Sequence, residues 1–285
     1  MKSSFFLTIF LSLFFYNLYS IEESRLLRFP AVSNEKIVFS YGGDLYLTSI
    51  NGGMTQKITT NKGYEMFARF SPDGKKIAFT AQYDGNTEVY VMPCDGGMPV
   101  RLTFSAAIQR DDVSDRMGPN NIVIGWTPDG KYIIYRTRQY SFNDFKGMLM
   151  EISPDGGMPL ELPFSVGGFC SFSPDGKIFA SGSYDGTVRL WFVADGRLLH
   201  TLKANTNLVE CISFSPNGQV LASSGSRDGN IYLWEVADGR LLRTLTGHTD
   251  TVNSIAFSPD GRILSSSGLY DGTIRLWNYA DGSLL

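Results

Sequence analysis

Nucleophilic catalysis needs a base held beside a serine or cysteine, and this chain offers two histidines, His200 and His248. It contains no Gly-x-Ser-x-Gly elbow that would expose a serine at a strand-to-helix turn. Cys94, Cys170 and Cys211 fit no zinc or dithiol spacing, and two histidines are too few for a histidine-based metal site. The cysteines read as small buried apolar residues, with at least one free thiol because their number is odd. Asp-Gly pairs recur at Asp84-Gly85, Asp185-Gly186 and Asp271-Gly272, but without the alternating carboxylates of a calcium loop. The Gly-Gly pairs lie between strands and not before a helix, so they form no phosphate cradle. No catalytic residue, metal ligand or cofactor is expected.

What remains is a scaffold, and its signature is repetition. The phrase Phe70-Ser71-Pro72-Asp73-Gly74 returns as Trp126-Thr127-Pro128-Asp129-Gly130, Phe172-Ser173-Pro174-Asp175-Gly176, Phe214-Ser215-Pro216-Asn217-Gly218 and Phe257-Ser258-Pro259-Asp260-Gly261. Val32-Ser33-Asn34-Glu35 is a degenerate first copy. Proline presets the first turn position and Asp-Gly or Asn-Gly accepts positive φ, so each phrase predicts a hairpin. An apolar strand follows each, then an Asp-Gly or Gly-Gly turn, an alternating third strand, another turn and a fourth strand. Asp175, Asn217 and Asp260 are spaced by 42 and 43 residues. Four strands at that period select an all-β, six-bladed β-propeller of four-stranded antiparallel blades.

The bulk properties agree with a scaffold. A formal charge of -3 and a pI near 5.5 exclude the basic stripe of a nucleic-acid binder. Lys2 followed by the apolar run Phe5 to Phe15 predicts a signal peptide over residues 1–20. The alternative is an uncleaved anchor, for which the run is short. Residues 21–285 then form the propeller, periplasmic or extracellular, monomeric, and free of the membrane after cleavage.

The units come in two dialects. Residues 177–285 resemble WD repeats. The residues that carry this are Ala180-Ser181-Gly182-Ser183-Tyr184-Asp185-Gly186, the Leu-Trp pairs at 190–191, 233–234 and 276–277, and Gly247-His248. The resemblance implies a hydrogen-bonded set of His248, Ser266 or Ser267, Asp271 and Trp277 holding the last blade together. It also implies partial sets built on Asp228 and Trp234, and on Asp185 and Trp191. Ala204-Asn205 stands where Gly-His is expected, so the blade of Asp228 and Trp234 should be looser. Residues 24–176 resemble the TolB-type repeats of the N-terminal propeller of tricorn-like serine peptidases. This rests on Leu27-Arg28-Phe29-Pro30, the Gly-Gly-Met turns at 52–54, 96–98 and 156–158, and Phe67-Ala68-Arg69-Phe70. Those blades are the first three and the start of the fourth. In that family the serine nucleophile lies in a separate catalytic region, so these residues imply no peptidase activity of their own. The change of dialect near Gly176 suggests two fused half-propellers.

Ring closure has two candidates. Residues 24–29 resemble the fourth strand at Arg240-Leu241-Leu242-Arg243 and are expected to pair with the last blade. The competing outer strand is Ser283 to Leu285. Two segments interrupt the repeat: Thr103 to Asn121, with Arg110 and Arg116, and the extended hairpin with Tyr140, Phe142 and Phe145. Long loops on a rigid scaffold commonly carry function. These five residues are the expected contacts for a protein or peptide partner, against the alternative of solvated loops.

Overall fold

The Ser/Thr-Pro-Asp/Asn-Gly hairpin is built the same way five times. In the first full copy Ser71 Oγ donates to Asp73 Oδ1 (2.7 Å) and accepts from Lys76 N (2.9 Å), while Lys75 N donates to Asp73 Oδ1. Gly74 N donates to Ser71 O and Gly74 adopts φ 71°. Thr127 with Asp129, Ser173 with Asp175, Ser215 with Asn217 and Ser258 with Asp260 repeat the hydroxyl-to-side-chain bond at 2.6–2.7 Å. The Ser71 hydroxyl, followed by the Lys75 amide, holds the Asp73 carboxyl below its ordinary range.

These hairpins join the first two strands of successive sheets. A computed structural model describes residues 28–33, 35–105, 119–138, 147–162, 170–183, 185–203, 208–225 and 228–285. Blade 1 comprises β1 (Arg28–Ser33), β2 (Lys36–Tyr41), β3 (Asp44–Ser49) and β4 (Gln56–Lys57). Blade 2 has β5 (Glu65–Phe70), β6 (Lys76–Ala81), β7 (Glu88–Pro93) and β8 (Val100–Arg101). Blade 3 has β9 (Asn121–Trp126), β10 (Ile133–Thr137), β11 (Met148–Ile152) and β12 (Leu160–Glu161). Blade 4 has β13 (Cys170–Phe172), β14 (Ile178–Gly182), β15 (Thr187–Phe192) and β16 (Leu198–Lys203). Blade 5 has β17 (Val209–Phe214), β18 (Val220–Gly225), β19 (Ile231–Glu235) and β20 (Leu241–Leu245). Blade 6 has β21 (Val252–Phe257), β22 (Ile263–Gly268) and β23 (Ile274–Asn278). Every sheet is an antiparallel meander in sequence order, the last with three strands, and no helix occurs among the described residues. The molecule is a six-bladed β-propeller.

The dialects differ at the rim. In blades 1–3 the outer strand is two residues long, whereas β16 and β20 have six and five. The Gly-Gly-Met turns explain this. Their two successive glycines take positive φ, swinging the chain outward and leaving Met54, Met98 and Met158 exposed.

Blades pack face to face through apolar clusters. Val38, Leu45 and Leu47 of blade 1 meet Ile77, Phe79 and Tyr90 of blade 2. Ala78 and Val91 meet Trp126 and Tyr135 of blade 3. Val188 and Leu190 of blade 4 meet Leu221 and Trp234 of blade 5, and Ile231 and Leu233 meet Leu264 and Trp277 of blade 6. The junction of blades 3 and 4 is thinner among the described residues. Ile134 and Leu149 meet Phe179 and Trp191 there. A cleft of about 290 Å³ lined by Ile124, Trp126, Cys170 and Phe172 opens beside them. The hairpin packing nonetheless runs through this junction. A Cβ on Gly176 would lie 3.3 Å from Pro128 of the preceding blade, as one on Gly218 would lie 3.4 Å from Pro174.

The repeat also exposes where packing stops. Val188, Ile231 and Ile274 hold the same position in blades 4, 5 and 6, and are 1%, 0% and 78% exposed. Leu190, Leu233 and Leu276 follow the same course, at 0%, 2% and 44%. The face of blade 6 turned away from blade 5 is therefore uncovered. The closure expectation needs correcting for the described part of residues 24–29. Arg28 and Phe29 belong to β1, the first strand of blade 1, where Arg28 pairs with Ser40. The extended Arg28–Ser33 run continues directly into the β2 hairpin, and that local pairing captures it. Residues 24–27 lie outside the described residues. The outer edge of blade 6 carries the competing segment: Trp277 bridges Leu284, Asn278 N donates to Ser283 O and Leu285 N donates to Leu276 O.

Candidate functional site

The polar clusters of the two dialects occupy different places and do different work. In blade 6, Trp277 Nε1 donates to Ser266 Oγ (2.8 Å), Ser266 Oγ lies 2.8 Å from His248 Nε2, and His248 Nδ1 lies 2.6 Å from Asp271 Oδ2. With Asp271 ionised, His248 carries its proton on Nδ1 and Nε2 accepts from the serine hydroxyl. The Thr273 backbone amide, then the His248 bond, holds the Asp271 carboxyl well below the usual range. Of the two serines, Ser266 sits in this chain of bonds; Ser267 Oγ donates instead to Asn253 on the exposed face.

Ser266, His248 and Asp271 thus have the connectivity of a serine–histidine–aspartate relay. The surroundings do not suit attack on a substrate. Ser266 and His248 are buried, and the indole of Trp277 already occupies the serine oxygen. The set joins strand β22 to β23 and to the segment before β21.

Blades 4 and 5 keep the Trp–Ser bond. Trp191 Nε1 donates to Ser181 Oγ and Trp234 Nε1 to Ser223 Oγ, both at 2.9 Å. Asp185 accepts from Arg189 Nη2 (2.7 Å) and Thr187 Oγ1 (2.6 Å). Asp228 accepts from Tyr232 Oη (2.9 Å) and from Asn230 N. The residue i+4 from the aspartate thus bonds its carboxylate, and Asn205, which stands where blade 6 has His248, lies outside the described residues. His200 faces outward and its Nε2 lies 3.1 Å from Ala237 O, as Arg243 reaches Ala280 O one blade later.

Blades 1 and 2 use a carboxylate–threonine cluster that sequence reasoning missed. Thr103 Oγ1 accepts from Val89 N and donates to Glu88, which also accepts from Arg101 Nη2 (2.9 Å), Ser105 N (2.6 Å) and Asn121 Nδ2 (3.2 Å). Thr59 Oγ1 accepts from Leu45 N and donates to Glu65 Oε2 (3.0 Å), while Lys57 pairs with Asp44 at 2.7 Å. The signal available in the sequence was the repeated Lys57-Ile58-Thr59 and Arg101-Leu102-Thr103 at the ends of the outer strands.

The first strand of each blade faces the middle of the ring. β1 and β5 carry bulges at Phe29 and Phe67, whose φ values of 53° and 55° lie in the left-handed region. Each costs about 1–2 kcal/mol for a residue with a Cβ. The bulges bring the two rings to a centroid distance of 4.1 Å. Arg69 follows on β5. Its Nε donates to Ile124 O and Nη1 to Ala68 O, and no carboxylate pairs with it among the described residues. Burial lowers the Arg69 pKa, and the group interacts electrostatically with Cys211 on the first strand of blade 5. Bulges at Glu210 and Asn253 mark β17 and β21. One wall is thus aromatic and cationic, the other polar.

The three cysteines are unpaired. Burial pushes the Cys170 thiol up to about 12, which makes it inert as a nucleophile. No group of three His, Cys, Asp or Glu side chains that could hold a metal ion occurs among the described residues. The expected partner contacts Tyr140, Phe142, Phe145, Arg110 and Arg116 lie outside the described residues. The hairpin from which the first three spring ends at Thr137 paired with Met148, beside Asn121 at the start of β9.

Comparison with known proteins places both dialects. The family model described as the tricorn protease N-terminal beta propeller domain matches residues 24–192, and the WD domain, G-beta repeat, matches 196–235 and 239–278. Tricorn protease homolog 1 of Streptomyces coelicolor is 31% identical over 149 residues, 52% of this chain and 13% of the relative. The Protein TolB homolog of Chlorobium luteolum is 35% identical over 54 residues, 19% of this chain and 12% of that protein. Small ribosomal subunit protein RACK1z of Arabidopsis thaliana is 49% identical over 45 residues, 16% of this chain and 14% of that protein. The matched stretches are thus a small fraction of these relatives' lengths.

Proposed function

Because the chain belongs to the tricorn protease N-terminal β-propeller family, we propose that it is a non-catalytic propeller that binds a protein or peptide, acting as a monomer outside the cytoplasm. The observation that carries this reading is the wall formed by Phe29, Phe67 and Arg69. Two bulky residues are held in a disfavoured backbone conformation, and beside them stands a cation whose hydrogen bonds, among the described residues, go to backbone carbonyls. Strain of this kind persists where the surrounding fold enforces it, and it concentrates at binding sites. Aromatic faces next to a guanidinium suit the apolar side chains and carbonyl groups of an extended peptide. The apolar run Phe5 to Phe15 supports export.

Phe67→Gly separates binding from folding. Glycine removes the left-handed strain while deleting the ring, so stability should stay within about 1 kcal/mol of the parent. Retention of an unstructured peptide pool on the immobilised propeller should fall at least tenfold, and Arg69→Gln should lower it further. Equal retention by parent and both variants would end this reading.

A second reading is favoured by the 31% identity to a tricorn protease homologue: the propeller filters peptides for a tricorn-like catalytic domain. Co-purification of peptidase activity with the tagged chain from its native cell, lost in Phe67→Gly, would favour gating over general scaffolding.

A further inference from the structure

We propose that Glu65 is a proton-operated latch between blade 1 and blade 2, closed when its carboxyl is protonated and released when it ionises. The inference comes from superposing the two carboxylate–threonine clusters by repeat position. Asp44, Lys57 and Thr59 of blade 1 stand where Glu88, Arg101 and Thr103 stand in blade 2. Each cluster is completed by the first residue of the next blade's first strand. In the blade 2 cluster that residue is Asn121, whose amide donates to Glu88 Oε2 (3.2 Å), to Thr87 O (2.8 Å) and to Ser105 Oγ (3.0 Å). In the blade 1 cluster it is Glu65.

A carboxylate cannot do what an amide does there. Ionised, it is an acceptor only and faces the like charge of Asp44; protonated, it regains a donor. The local geometry shows the mismatch. Glu65 is 1% exposed and its Oε2 accepts from Thr59, while its Oε1 faces the Tyr83 hydroxyl without a hydrogen bond of good geometry. Lys57, the cation facing the cluster among the described residues, is engaged by Asp44 at 2.7 Å. The titratable groups around Glu65 are therefore Asp44 and Lys57 from blade 1 and Tyr83 from blade 2.

Burial, with Asp44 adding to it, raises the Glu65 pKa to about 7, against the Thr59 bond, the Tyr83 hydroxyl and the charge of Lys57. A carboxyl raised in the folded state contributes stability that is full below its unfolded value near 4.5 and is lost as pH rises through about 7. The latch thus opens across the neutral range. The backbone that would register it is adjacent. Glu65 N donates to Gly43 O (2.7 Å) across the blade boundary, and Gln82 N donates to Tyr64 O (3.0 Å).

Hydrogen exchange read at the Glu65 and Gln82 amides tests this. After correction for the intrinsic rate, protection in the parent should fall about tenfold between pH 6 and pH 8.5. Glu65→Gln, which carries the donor permanently, should remain protected throughout. A parent profile flat across this range, or a Glu65→Gln profile with the parent's slope, would overturn the proposal. Carboxyl-carbon NMR provides a readout that needs no variant. A Glu65 midpoint near 7 supports the latch, and one below 5 refutes it.

Discussion

Phe179→Ala should cost about 3–5 kcal/mol, the usual range for deleting a fully buried aromatic ring, and should split unfolding into two transitions. Phe179 is fully buried at the junction of blades 3 and 4, wedged with Ile134, Leu149 and Trp191. That junction joins the Gly-Gly-Met blades to the Leu-Trp blades. It is already bordered by the cleft at Trp126 and Cys170, so its loss is poorly absorbed by neighbours. Cooperativity in a repeat protein depends on the interface terms between units. Weakening this interface, thin among the described residues, should uncouple the halves before it unfolds either. Phe79→Ala supplies the comparison: Phe79 is equally buried, but its cluster lies between blades 1 and 2. It should destabilise by a similar amount without creating a boundary at blade 4. Denaturant titration with tryptophan variants that report Trp126 alone or Trp277 alone distinguishes the two. Separate midpoints are expected in Phe179→Ala. Identical single transitions for both alanine variants would mean that the junction has no special weakness.

Ser266→Ala is the second large effect. Removing one hydroxyl strands two buried groups, Trp277 Nε1 and His248 Nε2, that now share it. An unpaired buried polar group costs about 1–3 kcal/mol, so the pair predicts about 2–4 kcal/mol. Ser267→Ala, one residue along on the exposed face, should change stability by under about 0.5 kcal/mol. Among the described residues blade 6 packs against blade 5 alone, so the loss should appear as local exchange of β21 to β23 before global unfolding. If the two serine variants behave alike, the hydrogen-bonded chain through His248 does not hold the blade.

The parts of this fold that were legible in the sequence are those fixed within a few residues. Ser173-Pro174-Asp175-Gly176 predicts its own hairpin because Ser173, Asp175 and the backbone close the turn without outside help. Thr273 to Trp277 reads as a strand from alternation alone. The set at His248 was reached through resemblance to WD repeats, which could not choose between Ser266 and Ser267; register on β22 makes that choice. The left-handed Phe29 and Phe67 were invisible because strand propensity says nothing about a bulge imposed by the next blade. Glu65 carries no signal in the sequence, since its partners Thr59 and Asp44 become its neighbours only when two blades pack. The expected pairing of residues 24–29 with blade 6 gave too little weight to local geometry: Arg28 and Phe29 enter β1 two residues before Pro30 and stay in blade 1.

The central claim is that two dialects of blade form one continuous six-bladed propeller. Small-angle scattering of the chain in dilute solution tests it most directly. A compact propeller of 285 residues should give a radius of gyration of about 19 Å, with a single-peaked distance distribution. A substantially larger radius with a two-lobed distribution would show the halves standing apart, and would contradict the account.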